Sequence, residues 1–96
     1  ANGQAADASI AQAVMAVCET FPAFSHVLNG RFKGGYITRH YGQPSQGVHA
    51  VQLEMCQSLY MREAAPYDYL PERAEHILPA LEQMVQAALQ ALEALP

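Results

Sequence analysis

The C-terminal segment places the strongest constraint on the fold, because its apolar residues recur at helical spacing throughout. They keep a period of about 3.6 residues at Ile77, Leu78, Leu81, Met84, Val85, Ala88, Leu89 and Leu92. Since this period puts the apolar side chains on one face, it predicts an amphipathic helix over residues 71–95. Pro71 suits the first turn of such a helix. Pro79 lacks an N–H and clashes with the preceding turn, so we expect a kink or break near residues 75–78.

A second amphipathic helix is predicted near the start of the chain, over residues 8–19. Its apolar face has residues at i, i+4, i+7 and i+8, namely Ile10, Val14, Val17 and Cys18. Either Asp7 or Ser9 is expected to cap this helix, because a short oxygen-bearing side chain accepts a hydrogen bond from an unpaired backbone N–H. Pro22 marks the end of the helical segment.

Three runs between these helices have the composition of β-strands. The run at residues 25–28 precedes an Asn-Gly turn, and the runs at 35–41 and 48–55 contain β-branched and aromatic residues or alternating apolar positions. A loop with glycine and proline at residues 42–47 would join the last two runs into a hairpin. The predicted order of elements is therefore α-β-β-β-α, and the predicted fold class is α/β.

Three strands are too few for an independent α/β domain. They leave the edges of the sheet unpaired and cannot bury two helices well. Only 15% of the 96 residues are charged, against about a quarter in an average protein, as expected for a segment that packs inside a larger structure. We therefore expect a part of a larger sheet, whose exposed edge would favour a homo-oligomer.

Composition also argues against some classes of partner and location. The formal net charge of −4 argues against nucleic-acid binding, which requires a basic surface. No apolar run approaches the roughly 20 residues of a membrane span, and residues 1–9 lack the basic start and apolar centre of a signal peptide. We expect a cytoplasmic protein in which Cys18 and Cys56 are buried free thiols, since they have no CxxC spacing.

Lys33, Arg39, His40, His49 and Glu54 lie within or beside the predicted strands, and Glu54 is the most informative of them. It lies near the end of a mostly apolar predicted strand, two residues after Gln52. A buried carboxylate is unfavourable unless it is paired, protonated or directed at a metal. Glu54 is therefore either the partner of Arg39 or Arg62 in a salt bridge, or a general acid or base at the end of a strand.

Arg39 and His40 are adjacent and would face opposite sides of their predicted strand. Arg39 is either an edge residue or an anion-binding group, whose planar guanidinium suits a carboxylate. His40 and His49 lack the spacing of a metal site, so both a packing role and a single-ligand role remain open. His40 would also reach Glu54 if their strands were neighbours. The residues alone indicate a polar site between Lys33 and Glu54, but no particular reaction.

Two long runs of the chain are distinctive as sequences. They are NGRFKGGYITRHYGQPSQGVHAVQLEMCQSLYM at residues 29–61 and PYDYLPERAEHILPAL at residues 66–81. Both closely resemble the N-formylglutamate amidohydrolases, also called N-formylglutamate deformylases. The resemblance implies that the substrate is a small molecule, N-formyl-L-glutamate, which is hydrolysed to formate and L-glutamate in histidine degradation.

Members of this family are much longer than the chain, so we expect residues 1–96 to be the C-terminal part of a single domain. Such a part would be inactive alone. Two alternatives remain, a hydrolase of another N-acyl amino acid and a non-catalytic α/β segment that associates with itself.

The family is distantly similar to zinc carboxypeptidases and aspartoacylases. This likeness implies a three-layer α/β domain and a divalent metal, zinc in the first instance, with ligands mostly upstream of this chain, so no ligand is assigned here. It makes Glu54 the general base. Arg39 would hold a substrate carboxylate, with Lys33 as a second candidate. The developing oxyanion would be stabilised by His40, as a catalytic residue, or by Tyr41, as a substrate-binding one.

Overall fold

The computed structural model describes residues 3–31 and 33–96, which form three α-helices and two 3-10 turns joined by irregular chain. The helices are α1 (Ala8–Glu19), α2 (Tyr36–Tyr41) and α3 (Pro71–Glu93), and the 3-10 turns span Pro44–Gln46 and Gln57–Leu59. α1 packs against α3, which also contacts the second 3-10 turn. No helix in the described part of the chain is both long and apolar enough to cross a membrane.

α1 begins and ends where the sequence predicts. Asp7 is its N-cap, since Asp7 Oδ1 accepts hydrogen bonds from the Ser9 N–H at 2.9 Å and from the Ser9 hydroxyl at 2.7 Å. At the other end, the Thr20 hydroxyl donates to the Val17 carbonyl at 2.7 Å. The predicted range of residues 8–19 and the Asp7 cap are confirmed.

α3 begins at Pro71, as predicted, and forms one continuous helix of 23 residues. A kink or a break was predicted near residues 75–78, and the break is wrong, because the helix continues through Pro79. Pro79 is exposed, whereas Ile77 and Ala80 near it are buried. Burial of these neighbours offsets the single hydrogen bond that the proline removes, and the proline ring lies on the solvent side.

The predicted α/β class is wrong, because the described residues contain no strand and no sheet. Residues 25–28 are irregular, residues 36–41 form α2, and residues 49–56 have no regular structure. Two isolated bridges remain, which pair Gln43 with Val48 and Met61 with Tyr69. The order α-β-β-β-α, the three-layer architecture and the sheet edge expected to drive self-association are therefore corrected for this part of the chain.

The predicted strands fail because β-branched and aromatic residues favour strands only where a neighbouring strand supplies hydrogen bonds and packing. Without such a neighbour, the run GYITRHY forms backbone hydrogen bonds between residues four positions apart. The Arg39 N–H donates to the Gly35 carbonyl at 3.2 Å, and the Gly42 N–H donates to the Thr38 carbonyl at 3.0 Å. The Thr38 hydroxyl also donates to the Gly35 carbonyl, at 2.9 Å. These local bonds make the run a short helix.

The end of α2 lies in close contact with the N-terminal residues at Gly42. A Cβ atom at Gly42 would lie 2.5 Å from the Ala5 carbonyl oxygen and 2.7 Å from the Thr38 carbonyl oxygen, so no larger residue fits without a shift. The same Ala5 carbonyl accepts the Ala50 N–H at 2.9 Å. Ala5 is buried, and it joins α2 to the chain that leads to Glu54.

The core is small and consists largely of alanine. Its buried apolar residues are Ala5, Ile10, Ala74, Ile77 and Ala80. The radius of gyration is 14.7 Å, against about 13 Å for a compact domain of 100 residues. Large apolar side chains remain exposed beside this core, among them Val85 (61%), Leu89 (53%) and Val51 (48%).

The two cysteines are free thiols, as predicted. The predicted burial is wrong for Cys56, which is exposed, while Cys18 is half-buried. Cys18 shares the apolar face of α1 with Ile10, whereas Cys56 lies in irregular chain that no sheet covers.

Candidate functional site

Two side-chain hydrogen bonds join the start of α2 to Glu54. The Gly35 N–H donates to Gln52 Oε1 at 2.8 Å, and Gln52 Nε2 donates to Glu54 Oε1. We call this pair of bonds the Gln52 bridge. It links the Glu54 carboxylate to the loop of residues 33–35, which carries the side chain of Lys33.

Glu54 is exposed, not buried in a strand as expected. Residues 51–58 are exposed throughout, so no burial of charge has to be offset by a salt bridge to an arginine. The carboxylate accepts a hydrogen bond from the Gln52 amide and is open to a small molecule from solvent. An accessible carboxylate held by a side-chain hydrogen bond has the properties that a general base requires.

Arg39 contacts the same loop from α2. Its Nη1 donates to the Gly34 carbonyl at 3.3 Å, one residue before the glycine of the Gln52 bridge. A guanidinium carries five N–H groups, so this bond leaves donors for a carboxylate. Lys33 is exposed and directly precedes Gly34. The loop of residues 33–35 thus carries Lys33, is bonded directly to Arg39 and is linked to Glu54 through Gln52, by contacts that differ from those of a hairpin.

His40 and Tyr41 belong to an aromatic cluster on α2. The His40 ring stacks on Tyr36 with centroids 4.9 Å apart and an interplanar angle of 14°. It meets Tyr41 edge-on, at 4.7 Å and 86°. Successive helix residues are about 100° apart, so the expectation that Arg39 and His40 face opposite sides of a strand is wrong. The expected approach of His40 to Glu54 across two strands is wrong too, because those strands do not form.

His49 has a structural partner at the start of α1. The Asp7 N–H donates to His49 Nδ1 at 2.9 Å, so a neutral ring carries its proton on Nε2. Hydrogen bonds from the Ser9 side chain and backbone hold the pKa of the Asp7 carboxyl below its ordinary value, and the nearby His49 adds to this effect. His49 therefore ties the chain that leads to Glu54 to the cap of α1.

The residues that the structure describes do not form a metal-binding site. They bring together no group of three or more His, Cys, Asp or Glu side chains that could hold a metal ion. Glu54 accepts from an amide, His40 contacts tyrosine rings and His49 accepts from a backbone N–H. These residues do not fit a metal site by themselves.

Gln52 is the site residue that sequence reasoning missed. The sequence placed it two positions before Glu54 on one face of a predicted strand, without a role. The sequence carried no clear signal for the bond from Gly35, because a Cβ atom at Gly35 would lie 3.9 Å from Gln52 Oε1 and the contact does not require glycine. The hydrogen bond between Asp7 and His49 joins residues 42 positions apart, and no local sequence pattern predicts it.

The comparisons with known proteins agree with the predicted resemblance. The model of the family described as N-formylglutamate amidohydrolase matches residues 1–61. A protein of Pseudomonas putida named N-formylglutamate deformylase is 49% identical over 88 residues, which are 92% of this chain and 33% of that protein. A protein of the same name from Pseudomonas aeruginosa is 49% identical over 87 residues, which are 91% of this chain and 33% of that protein.

The chain therefore spans about a third of the length of these relatives. No solved structure matches it significantly. The matched residues include the loop of residues 33–35, α2 and the Gln52 bridge. Because the family model covers more than half of the sequence, this chain belongs to the N-formylglutamate amidohydrolase family.

Proposed function

We propose that this chain forms part of the active site of an enzyme that hydrolyses N-formyl-L-glutamate to formate and L-glutamate in histidine degradation. The observation that carries the proposal is the 49% identity, over 92% of the chain, to a protein named N-formylglutamate deformylase. The exposed Glu54 carboxylate beside Arg39 and Lys33 supports it, because amide hydrolysis of an anionic substrate needs a base and cationic binding groups.

Glu54 is the proposed general base. Its carboxylate takes a proton from water as the water oxygen attacks the formyl carbon, which gives a tetrahedral intermediate. The same carboxyl group then gives this proton to the departing nitrogen as the C–N bond breaks. The formic acid formed in this step ionises to formate, and its proton is taken up by the amine of glutamate or by solvent.

Arg39 and Lys33 are the proposed binding groups for the two carboxylates of the substrate. Arg39 presents a planar fork that matches a carboxylate, and its contact with the Gly34 carbonyl fixes one of its donors. Lys33 supplies a point charge from the adjacent loop. His40 or Tyr41 is proposed to stabilise the oxyanion of the intermediate, since His40 has ring nitrogens and Tyr41 a hydroxyl group in one exposed cluster.

Further parts of the proposal concern the whole enzyme. A divalent metal, zinc in the first instance, is proposed as its cofactor, with ligands mostly outside this chain, as the likeness of the family to zinc carboxypeptidases and aspartoacylases implies. Its proposed compartment is the cytoplasm. Nucleic acid is not a proposed partner, since the chain carries a net charge of −4.

A substrate panel tests the proposed function. The protein to assay is a hybrid enzyme, in which this chain replaces the third of the Pseudomonas putida relative that it matches. The panel contains N-formyl-L-glutamate, N-formyl-L-glutamine and N-acetyl-L-glutamate. We expect kcat/KM for N-formyl-L-glutamate to exceed the value for N-formyl-L-glutamine at least about tenfold, because each charge-assisted hydrogen bond contributes about 1.5–3 kcal/mol.

The acetyl compound tests the acyl group in the same way. A higher kcat/KM for it would make the chain part of a hydrolase of another N-acyl amino acid. A folded hybrid enzyme that hydrolyses none of the three compounds would contradict the proposal altogether.

Self-association is a second candidate function, which an apolar groove favours. The groove has a volume of about 430 Å³ and lies between α1, α3 and the chain around His49. Its lining includes the exposed side chains of Val51, Val85 and Leu89. Sedimentation of the chain over a hundredfold range of concentration tests this candidate. A mass that rises with concentration supports it, and a monomer at the highest concentration contradicts it.

A further inference from the structure

We propose that Gln52 is a positioning residue, which orients the carboxylate of Glu54 toward the attacking water. The inference rests on the proposed function, in which Glu54 is the base. Its structural basis is the Gln52 bridge, where one side-chain amide accepts from the Gly35 N–H at 2.8 Å and donates to Glu54 Oε1.

The chemistry of the two partners determines the orientation of the Gln52 amide. The Gly35 N–H can only donate, so it requires the carbonyl oxygen of the amide. The NH₂ group must then point to Glu54, whose ionised carboxylate can only accept. In the flipped orientation both contacts would be repulsive. The backbone of Gly35 therefore determines, through Gln52, which group faces the carboxylate.

This arrangement matters because Glu54 has no secondary structure to hold it. Residues 49–56 have no regular structure and residues 51–58 are exposed, so an unrestrained glutamate side chain would sample many rotamers. Gly35 also precedes α2, and Arg39 lies one helical turn after it. The Gln52 bridge thus sets the position of the base relative to the proposed carboxylate-binding arginine.

Gln52→Glu is the sharpest variant, because it changes one end of the bridge alone. A glutamate at this position can still accept from Gly35, but it turns an oxygen instead of an NH₂ group toward Glu54. In the hybrid enzyme we expect kcat for N-formyl-L-glutamate to fall about 10- to 100-fold, as for a misplaced catalytic group, with KM little changed. Gln90→Glu adds the same charge on the exposed surface of α3 and should leave kcat unchanged.

A double-mutant cycle shows whether Gln52 acts through Glu54. In a Glu54→Gln background the base is absent, so Gln52→Glu should cause little further loss of kcat. Thermal unfolding of each variant checks that the fold is kept. Unchanged kcat in Gln52→Glu, or a full additional loss in the Glu54→Gln background, would overturn the proposal.

NMR on the 96-residue chain tests the bridge without any assay. The Gln52 side-chain NH₂ signals should shift in Glu54→Gln, and the Gly35 amide signal should shift in Gln52→Leu, while Gln90→Glu should move neither. If the signals shift but the hybrid enzyme is inactive, the proposed function fails and the orientation of Glu54 by Gln52 stands. If neither signal responds, the positioning role of Gln52 fails, whatever the activity.

Discussion

Glu54 is held in place by a side chain, not by a secondary-structure element. Residues 49–56 have no regular structure, yet the Glu54 carboxylate accepts a hydrogen bond from Gln52. A general base must stay within hydrogen-bond reach of the water that it activates. The Gln52 side chain therefore restrains the position of Glu54, which a strand or helix would otherwise do.

Replacing Glu54 by glutamine should remove the proposed base while keeping the shape of the side chain. We expect kcat of the hybrid enzyme to fall about 100- to 10,000-fold, the usual contribution of acid–base catalysis. Formate release under substrate saturation measures the loss, and circular dichroism checks the fold. Glu82→Gln makes the same change on an exposed residue of α3 and should retain normal turnover. If Glu54→Gln turns over like Glu82→Gln, Glu54 has no part in the mechanism.

Asp7 gives the folded chain a pH dependence of predictable sign. Its pKa is lowered from 3.8 by hydrogen bonds from the Ser9 side chain and backbone and by the nearby His49. A lowered pKa in the folded state contributes stability above the unfolded value, which is lost as the pH falls through the folded value.

Asp7→Asn isolates this contribution, because asparagine caps a helix but does not titrate in this range. Urea unfolding of both proteins between pH 7 and pH 2 should show a difference in unfolding free energy that is constant above pH 5. Below about pH 4 the original chain should lose stability relative to the variant. A difference that stays constant down to pH 2 would mean that the Asp7 carboxyl makes no stronger contacts in the folded chain than in the unfolded one.

Among the elements, the long helices α1 and α3 could be predicted from the sequence, whereas the short helix α2 was wrongly predicted as a strand. The start of α1 follows from Asp7 and the start of α3 from Pro71, because caps and apolar periods act within a few residues. The runs at residues 35–41 and 48–55 have strand composition, but a strand is completed only by a partner elsewhere in the chain. Pro79 is a local signal for a helix break, but α3 continues through it because Ile77 and Ala80 near it are buried.

The contact between α2 and Ala5 yields a prediction at the level of elements. Gly42→Ala puts a Cβ atom 2.5 Å from the Ala5 carbonyl oxygen, so α2 or the N-terminal residues must shift. We expect a loss of about 1–3 kcal/mol in the free energy of unfolding, as for other overpacked sites, measured by urea denaturation. Gly35→Ala is the control, because its Cβ would lie 3.9 Å from Gln52 Oε1 and meet no clash. Equal stability of the two variants would show that α2 does not pack on Ala5 in solution.

For the whole molecule, the family was predictable from the sequence, and the contacts among the candidate site residues were not. The run of residues 29–61 indicated the family, and the comparisons confirm it. Lys33, Arg39 and Glu54 were expected together in a hairpin, but the Gln52 bridge and α2 bring them to one loop. Such contacts depend on how segments pack, which periodicity and composition do not encode.

Two substitutions by alanine test whether α3 has both a buried apolar part and an exposed apolar part. Ile77 is 6% exposed and Leu89 is 53% exposed, although both belong to the apolar stripe of α3. Ile77→Ala should lower the free energy of unfolding by about 2–5 kcal/mol, while Leu89→Ala should change it by roughly 0.5 kcal/mol, as at a surface position. If Ile77→Ala does not fold, Ile77→Val should still show a loss of about 0.5–1.5 kcal/mol.

If Leu89→Ala lowers the free energy of unfolding strongly, repeating the measurement at different protein concentrations shows the cause. A loss at Leu89 that matches the loss at Ile77 would mean that the apolar groove is covered in solution. If dilution abolishes that loss, a second copy of the chain covers the groove, because association contributes to stability in proportion to the logarithm of concentration. If dilution leaves it unchanged, α1 and α3 pack more closely within one chain than the structure shows.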